Sequence, residues 1–199
     1  MKWKLPQEWE KLKQGIDCPI CEDMHLEENR FSFKVIELQQ GIVRLARNQY
    51  LPGYTVVIFR RHANELFELS VQELTEFWQD VSRVAKVLDD LYQPTKVNYL
   101  VFGHHCPHLH CHLVIHSYED DPSKPVDWNE ETVLLSPQQY QHIIAEMQKN
   151  YKRRSEKRPL CSLPSSRYLV AQLVGRWHCP HLERPLCSPH ADDTVPILQ

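Results

Sequence analysis

The sequence predicts an α+β domain, in which a five-stranded antiparallel sheet carries a long helix on one face, followed by a C-terminal helix and a poorly ordered tail. Three observations predict this fold class. Short segments rich in Val, Ile, Phe and Tyr follow one another closely within residues 32–59, a pattern typical of an antiparallel meander. A capped amphipathic helix of about 20 residues comes next. Two more strand-like segments, 97–102 and 108–116, complete the sheet.

Length and composition exclude several classes of protein. The 199 residues suffice for one domain with an appendage. The net charge of −3 does not mark a nucleic-acid-binding protein. No apolar run approaches the roughly 20 residues of a membrane span, and the first five residues lack the apolar stretch of a signal peptide. We therefore expect a soluble cytoplasmic protein with no membrane partner.

The N-terminal region combines a short predicted helix, residues 5–15, with a Cys18-x-x-Cys21 pair directly after it. Seven cysteines are an odd number, and in a reducing compartment such a pair indicates metal binding or free thiols rather than disulfides. The spacing suits two thiolates on one Zn²⁺. Two ordinary thiols are the alternative, and a redox pair is disfavoured because no βαβ pattern surrounds it.

Three strands are predicted in the first half of the chain, at 32–38, 41–46 and 54–59. A turn at residues 39–41 joins the first two. Arg60 and Arg61 follow the third strand, and then comes His62, which is either a surface loop residue or a ligand at the end of a strand.

Two helices are predicted in the second half. The first begins at Ser70, because Ser70 and Glu73 have the spacing of a capping box, and it ends before Pro94. Its apolar residues recur every three or four positions and predict one stripe that faces the core: Leu74, Phe77, Val81, Val84, Leu88 and Leu91. The second helix begins at Ser136-Pro137, with proline at the favoured first position, and runs to about Arg154.

Residues 103–116 contain six histidines. Three of these, His108, His110 and His112, alternate with apolar residues, which predicts a half-buried strand with the three imidazoles on one face. Neighbours on that face would lie roughly 6.5–7 Å apart. Imidazole serves as nucleophile, general acid or base, or metal ligand near neutral pH. The alternative is a solvent-facing strand that merely carries histidines.

The tail differs from the rest of the chain. Residues 151–199 hold eight Lys and Arg against four Asp and Glu, and six of the 14 prolines. We place the domain at residues 1–154 and a disordered, proline-rich tail at 155–199. Two Cys-His pairs in the tail form a weaker candidate for a zinc knuckle: Cys179, His181, Cys187 and His190.

Taken together, these segments resemble the histidine-triad (HIT) superfamily. The segment His108–Val114 is similar to the family motif of three alternating histidines followed by two apolar residues. The segments 53–62, 65–70 and 98–107 resemble a bacterial subgroup whose members are usually called diadenosine-tetraphosphate hydrolases. The resemblance covers roughly residues 15–150 and implies a HIT-like fold and a homodimer.

The resemblance also implies roles for individual residues. His110 would be the nucleophile that attacks the α-phosphorus of a nucleotide, and His108 and His112 would contact phosphate or orient its ring. Polar contacts to phosphate or ribose would come from Asn48, Asn98 and His104. His105 stands where some members carry a hydroxyl that assists the leaving group, and as an imidazolium it could donate a proton.

The same resemblance implies a structural zinc site, with the ligands Cys18, Cys21, His62 and His108. Two thiolates and two imidazoles complete a closed tetrahedral shell, so the residues themselves favour the same set. Besides His105, the chain departs from the family pattern in two places: Val114-Ile115-His116 replaces the common Ile-Pro-Arg, and Tyr54 replaces a common histidine.

Three functions compete at this stage. The first, which we favour, is a HIT-type nucleotide hydrolase or nucleotidyl transferase that works through a nucleotidyl-histidine and releases a nucleoside monophosphate. The second is a non-catalytic, zinc-stabilised nucleotide-binding module. The third is a zinc-dependent nucleic-acid adaptor that uses the basic segment 151–158. A histidine between two others favours the first over the second, and the acidic main domain, with a net charge of −7 over residues 1–150, disfavours the third.

Overall fold

The computed structural model describes residues 4–120 and 132–157, and for 155–157 the main chain alone. The helices and strands of these residues are, in chain order, α1 (Pro6–Lys13), α2 (Pro19–Asp23), β1 (Ser32–Glu37), β2 (Gly41–Ala46), β3 (Thr55–Phe59), α3 (Val71–Tyr92), β4 (Lys96–Leu100), β5 (His110–His116) and α4 (Pro137–Lys157). One short 3-10 turn, Leu66–Glu68, precedes α3.

The strands form one antiparallel sheet in the order β1-β2-β3-β5-β4. The predicted α+β class and the five-stranded sheet are therefore confirmed. Because β5 inserts between β3 and β4, the histidine strand lies inside the sheet, while β4 forms an edge. Within the described residues no helix is both long and apolar enough to cross a lipid bilayer.

One face of the sheet packs against helices α3 and α4. The predicted capping box begins α3, since the Glu73 N–H donates to Ser70 Oγ at 3.2 Å and the Ser70 N–H donates to Glu73 Oε2 at 2.9 Å. The predicted stripe is buried, with Phe77, Val81, Val84 and Leu88 all at most 2% exposed. Helix α4 lies beside α3, and its Gln148 side chain donates to the Val35 carbonyl of β1 at 2.7 Å. Two helices thus share this apolar face.

The opposite face carries His110 and His112. Ile58 pairs with His110 and Val56 with His112 across β3 and β5, so these apolar side chains share the histidine face. Helix α2 packs onto the same face through Ile20 and Met24. The short helix that carries the paired cysteines therefore lies beside the histidine strand.

Buried Arg44 holds this N-terminal segment against the sheet. Its side chain is 1% exposed, and its guanidinium donates to the carbonyls of Met24 and Leu26, at 2.7 Å each, and to that of Ser32 at 3.1 Å. A guanidinium has five N–H donors in a fixed planar arrangement, so one side chain satisfies several carbonyls of a segment that has little regular structure of its own.

The turn before β3 depends on Gly53. Its φ of +74° lies in the left-handed region, which costs glycine least because it has no Cβ. A Cβ at this position would also lie 2.7 Å from the ring of Tyr92. The Gly53 N–H donates to Gln49 Oε1 at 2.8 Å, so the turn fixes where Tyr54 enters the sheet.

Several elements differ from the predictions, and three of the differences concern the site or the end of the described chain. Helix α2 was not predicted, because its five residues are too few to show a helical period. The fifth strand begins at His110 rather than at His108, since the Leu109 N–H donates to the Ala63 carbonyl, beyond the end of β3. Helix α4 continues to Lys157, and the rest of the predicted tail, with its two Cys-His pairs, lies outside the described residues.

Candidate active site and metal centre

Four potential metal ligands meet where α2 packs against the sheet. Cys18 and Cys21 come from the start and middle of α2, His62 follows β3, and His108 precedes β5. The donor atoms of these four side chains all lie within 4.8 Å of one another. The structure therefore brings together the four ligands that the sequence predicted.

Three distances within this cluster match the edges of a tetrahedral zinc site. Cys21 Sγ lies 3.3 Å from Nδ1 of His62 and 3.3 Å from Nδ1 of His108, and Cys18 Sγ lies 3.7 Å from Nδ1 of His108. With ordinary Zn–S and Zn–N bond lengths, the edges of a tetrahedral shell are about 3.3–3.8 Å. These three distances fall in that range.

Both imidazoles are oriented as metal ligands. The Nε2–H of His108 donates to the Phe59 carbonyl at 2.8 Å, and the Nε2–H of His62 donates to the Lys13 carbonyl at 3.2 Å. A carbonyl only accepts hydrogen bonds, so in a neutral ring the proton lies on Nε2 and the Nδ1 lone pair faces the thiols. Such a backbone partner on the second nitrogen is typical of metal-bound histidine.

A third thiol, which the sequence analysis did not single out, touches the cluster. Cys106 Sγ lies 3.6 Å from Cys18 Sγ, and both side chains are buried. The Cys106 hydrogen bond holds the pKa of Cys18 well below its ordinary value, while burial raises the pKa of Cys21. A Cys18 thiolate, the form that a metal requires, would accept this hydrogen bond from the Cys106 S–H.

His110, the candidate nucleophile, is half-buried at the start of β5. Its Nδ1–H donates to the main-chain carbonyl of His108 at 2.5 Å, so the lone pair of the neutral ring lies on Nε2. Burial lowers the pKa of His110, which keeps the ring neutral near pH 7. The His108 carbonyl thus fixes the tautomer of the His110 ring.

His112 lies two residues further along the same face. Its ring centroid is 4.7 Å from that of His110, and its Nδ1 lies 2.6 Å from the hydroxyl oxygen of Tyr54. Burial, together with the neighbouring imidazoles of His110 and His104, lowers the pKa of His112 to about 3. Two neutral imidazoles thus lie side by side near neutral pH.

His108 differs from the other two imidazoles in its surroundings. Its side chain is only 1% exposed and points into the cysteine cluster. Leu109, Cys111 and Leu113 all belong to the core on the helix side of the sheet, so His108 continues the alternation of side chains although the regular strand begins at His110. The predicted spacing is also too long for the remaining pair, because the rings of His110 and His112 tilt toward each other.

The predicted phosphate and ribose contacts are placed differently from one another. Asn98 of β4 pairs with Val114 of β5, and Leu100 pairs with His112. Paired residues point to the same side of the sheet, so Asn98 lies on the face that carries His110 and His112. His104 and His105 are exposed in the preceding loop, with ring centroids 4.4 Å apart. Both residues shortly precede β5 in the sequence and are not part of it.

Asn48 is anchored by the backbone of another segment. Its Oδ1 accepts hydrogen bonds from the N–H of Tyr50 at 3.1 Å and from that of Val133 at 2.9 Å. An amide oxygen has two lone pairs, and both are engaged. If Asn48 contacts a nucleotide, it does so as a donor, through its amide nitrogen.

The sequence analysis did not assign a role in the site to Tyr54, Phe102 or Cys106. The ring of Phe102 lies 5.8 Å from that of His112 and 5.9 Å from that of His104. The contact between Tyr54 and His112 spans 58 residues, and that between Cys18 and Cys106 spans 88. The contact of Tyr54 with His112 could have been expected only from the pairing of β3 with β5, and no local pattern indicates the contact of Cys18 with Cys106.

Comparison with known proteins gives a consistent family relationship. The HIT domain family matches residues 27–118. The asymmetrical bis(5'-nucleosyl)-tetraphosphatase of Schizosaccharomyces pombe is 28% identical over 91 residues, which are 43% of this chain and 46% of that protein. The chain thus matches about half the length of this curated relative.

Solved structures share the fold at low sequence identity. A histidine triad protein from Bradyrhizobium japonicum superposes with a TM-score of 0.57 at 16% identity, covering 76% of this chain and 99% of that one. A zinc-bound histidine triad family protein from Mycobacterium smegmatis has a TM-score of 0.53 at 14% identity, covering 71% of this chain and 98% of its own. At such identities the likeness concerns the fold.

Proposed function

Residues 27–118 form a HIT domain, and we propose that this protein is a nucleotide hydrolase that cleaves at the α-phosphate of a dinucleoside polyphosphate or another nucleotidyl conjugate. The observation that carries the proposal is the hydrogen bond from His110 Nδ1 to the His108 carbonyl. This bond leaves the Nε2 lone pair of a neutral, half-buried imidazole available on the face that also carries His112.

The reaction proceeds in two displacements. In the first, Nε2 of His110 forms a bond to the α-phosphorus, while the bond from phosphorus to the leaving-group oxygen breaks. In the second, a water oxygen bonds to phosphorus and gives up a proton to solvent, the P–N electron pair returns to Nε2, and a nucleoside monophosphate leaves. Covalent catalysis of this kind replaces one difficult step by two easier ones.

The neighbouring residues bind and orient the substrate. His112 and Asn98 lie on the same face as His110 and contact phosphate or ribose. His104 and His105 reach the leaving group from their exposed loop, and His105, when protonated, supplies the proton that the departing oxygen needs. His108 acts through its carbonyl, because its ring faces the cysteines.

The cluster of Cys18, Cys21, His62 and His108 would hold a structural Zn²⁺. All four protein ligands are already present, which leaves no open position for substrate. When bound, the ion joins α2 to the ends of β3 and β5. The residues around it thereby fix the N-terminal segment beside the nucleophile.

The proposal is tested by incubating the full-length protein with a panel of adenylylated compounds and measuring AMP release. The panel should include diadenosine polyphosphates, adenylylated amines and adenylylated sugars, because the leaving group is the least constrained part of the substrate. AMP release from at least one class supports a hydrolase. Binding of these compounds without AMP release would instead support the non-catalytic nucleotide-binding module, and the absence of both would refute the proposal.

We also propose that the protein is a homodimer that associates along the edge of β4. Tyr99 and the adjoining Val101 and Phe102 are 38–45% exposed, so this edge presents apolar side chains next to an unprotected strand, a common site of strand pairing. Tyr99→Lys should convert the dimer to a monomer at micromolar concentration, as measured by light scattering. Phe67→Lys is the control, since Phe67 is 85% exposed elsewhere. A wild-type monomer at that concentration would contradict the proposal.

The region beyond α4 is proposed to be dispensable for turnover. We expect a chain that ends at Arg158 to keep AMP release within about twofold and its melting temperature within about 2 °C, because the core elements end before this point. A chain that ends at Glu146 is the destabilised control, since it loses buried Met147 and the ion pair of Arg154 with Asp90. If the chain that ends at Arg158 folds but no longer releases AMP, the tail is part of the active site and the proposal is wrong.

A further inference from the structure

The hydroxyl of Tyr54 is held against the His112 ring by the local fold. Tyr54 directly precedes β3 and is a diagonal neighbour of His112, because Val56, two residues later, pairs with His112 across the sheet. The phenol and imidazole rings are stacked at 5.9 Å with an interplanar angle of 21°, and the hydroxyl oxygen lies 2.6 Å from Nδ1. This is a short, strong hydrogen bond.

The backbone of Tyr54 is fixed on both sides. Its N–H donates to the Leu51 carbonyl at 3.1 Å, and its carbonyl accepts from the Ala46 N–H at 3.0 Å. Gly53, with its left-handed conformation under the Tyr92 ring, sets the direction of entry. The phenol therefore comes to His112 from a rigid turn, so its position does not depend on a bound substrate.

We propose that Tyr54 is a positioning residue that donates its O–H to Nδ1 of His112 and thereby keeps the proton of the neutral imidazole on Nε2. A phenol is a stronger donor than acceptor, and the lone pair of a neutral imidazole is a good acceptor. Burial raises the pKa of Tyr54 and lowers that of His112, so the phenol keeps its proton and the ring stays neutral.

The catalytic meaning of this arrangement rests on the proposed function. His110 is fixed by the His108 carbonyl with a lone pair on Nε2, whereas Tyr54 fixes His112 with a proton on Nε2. The two adjacent rings then have opposite characters, one nucleophilic and one hydrogen-bond donating. A donor beside the nucleophile can stabilise the negative charge on a phosphate oxygen while His110 attacks phosphorus.

The tautomer can be measured directly, whatever the substrate. Histidine-¹⁵N-labelled, full-length, zinc-loaded protein is examined by two-bond ¹H–¹⁵N correlation, with His112 assigned from the resonances lost in His112→Gln. We expect Nδ1 of His112 to be unprotonated and Nε2 to be protonated in the wild type. In Tyr54→Phe, which keeps the stacked ring, the tautomer ratio should change by about tenfold toward the Nδ1–H form.

Tyr50→Phe is the matched control, because Tyr50 belongs to the same loop and its ring is 38% exposed. It should leave the His112 resonances unchanged. A wild-type His112 protonated on Nδ1, or a Tyr54→Phe ratio equal to that of the wild type, would overturn the assignment.

Kinetics separate this inference from the proposed function. With a substrate that releases AMP, Tyr54→Phe should lower kcat by about tenfold and change KM by less than about threefold, since the pocket keeps its shape. An unchanged kcat alongside a shifted tautomer would overturn the positioning role. If the wild type releases no AMP from any compound, the proposed function fails, and the tautomer measurement still decides whether Tyr54 sets the state of His112.

Discussion

Replacement of His110 by alanine is expected to remove essentially all AMP release while nucleotide affinity stays within about tenfold of the wild-type value. The reason is that bond formation and nucleotide binding are expected to depend on different residues in and around β5. In the proposed mechanism, the bond to phosphorus needs the Nε2 lone pair of His110, whereas nucleotide binding is shared among His112, Asn98 and the loop histidines. The measurements are AMP release under single-turnover conditions and nucleotide affinity by calorimetry.

A trapped intermediate would identify the nucleophile more directly. Quenching the wild-type reaction without acid should leave a nucleotidyl group on the peptide spanning residues 104–116, with the acid-labile, base-stable behaviour of a phosphorus–nitrogen bond on imidazole. His116→Ala is the matched control, because His116 is on the same strand and face, and its ring faces Asp120 at 3.2 Å. Substantial activity in His110→Ala, or an adduct on His105, would show that the nucleophile is misassigned.

Removal of the metal is expected to have the largest effect on stability. We expect one zinc ion per chain by elemental analysis of protein purified without chelator. Cys21→Ser should abolish stoichiometric zinc and lower the melting temperature by on the order of 10 °C, because the free energy of zinc binding contributes to folding. Chelation of the wild type should have a similar effect.

Two further variants make the zinc prediction quantitative. Cys106→Ala keeps all four ligands and removes only the thiol that lies 3.6 Å from Cys18 Sγ, so zinc affinity should fall by about tenfold. His25→Ala removes a nearby exposed histidine that contacts Glu37, and it should keep full zinc content. Zinc-free wild-type protein, or a Cys21→Ser variant as stable as the wild type, would refute a structural metal.

The sequence predicted the fold well because its signals are local. The Ser70 cap, the apolar stripe that follows it and the proline at the start of α4 each act within a few residues. The members of the candidate metal cluster were also predictable, since the Cys18-x-x-Cys21 spacing and the position of His62 at a strand end limit the possible sets.

The finer arrangement of the site was less predictable, because it depends on contacts between distant segments. The pattern of alternating histidines does not show that the His108 ring contacts the Phe59 carbonyl and the thiol of Cys21. The partners Tyr54 and Cys106 come from distant segments, so no single stretch of sequence contains either contact.

The carbonyl of His108 has a consequence for how this site tolerates mutation. The atom that fixes the His110 tautomer belongs to the main chain, so no change of side chain at position 108 deletes it. Exchange of His108 for another residue would remove a metal ligand and yet leave an acceptor for His110 in the chain. We therefore expect the tautomer of His110 to be insensitive to the identity of residue 108 and sensitive to any displacement of the peptide unit that carries this carbonyl.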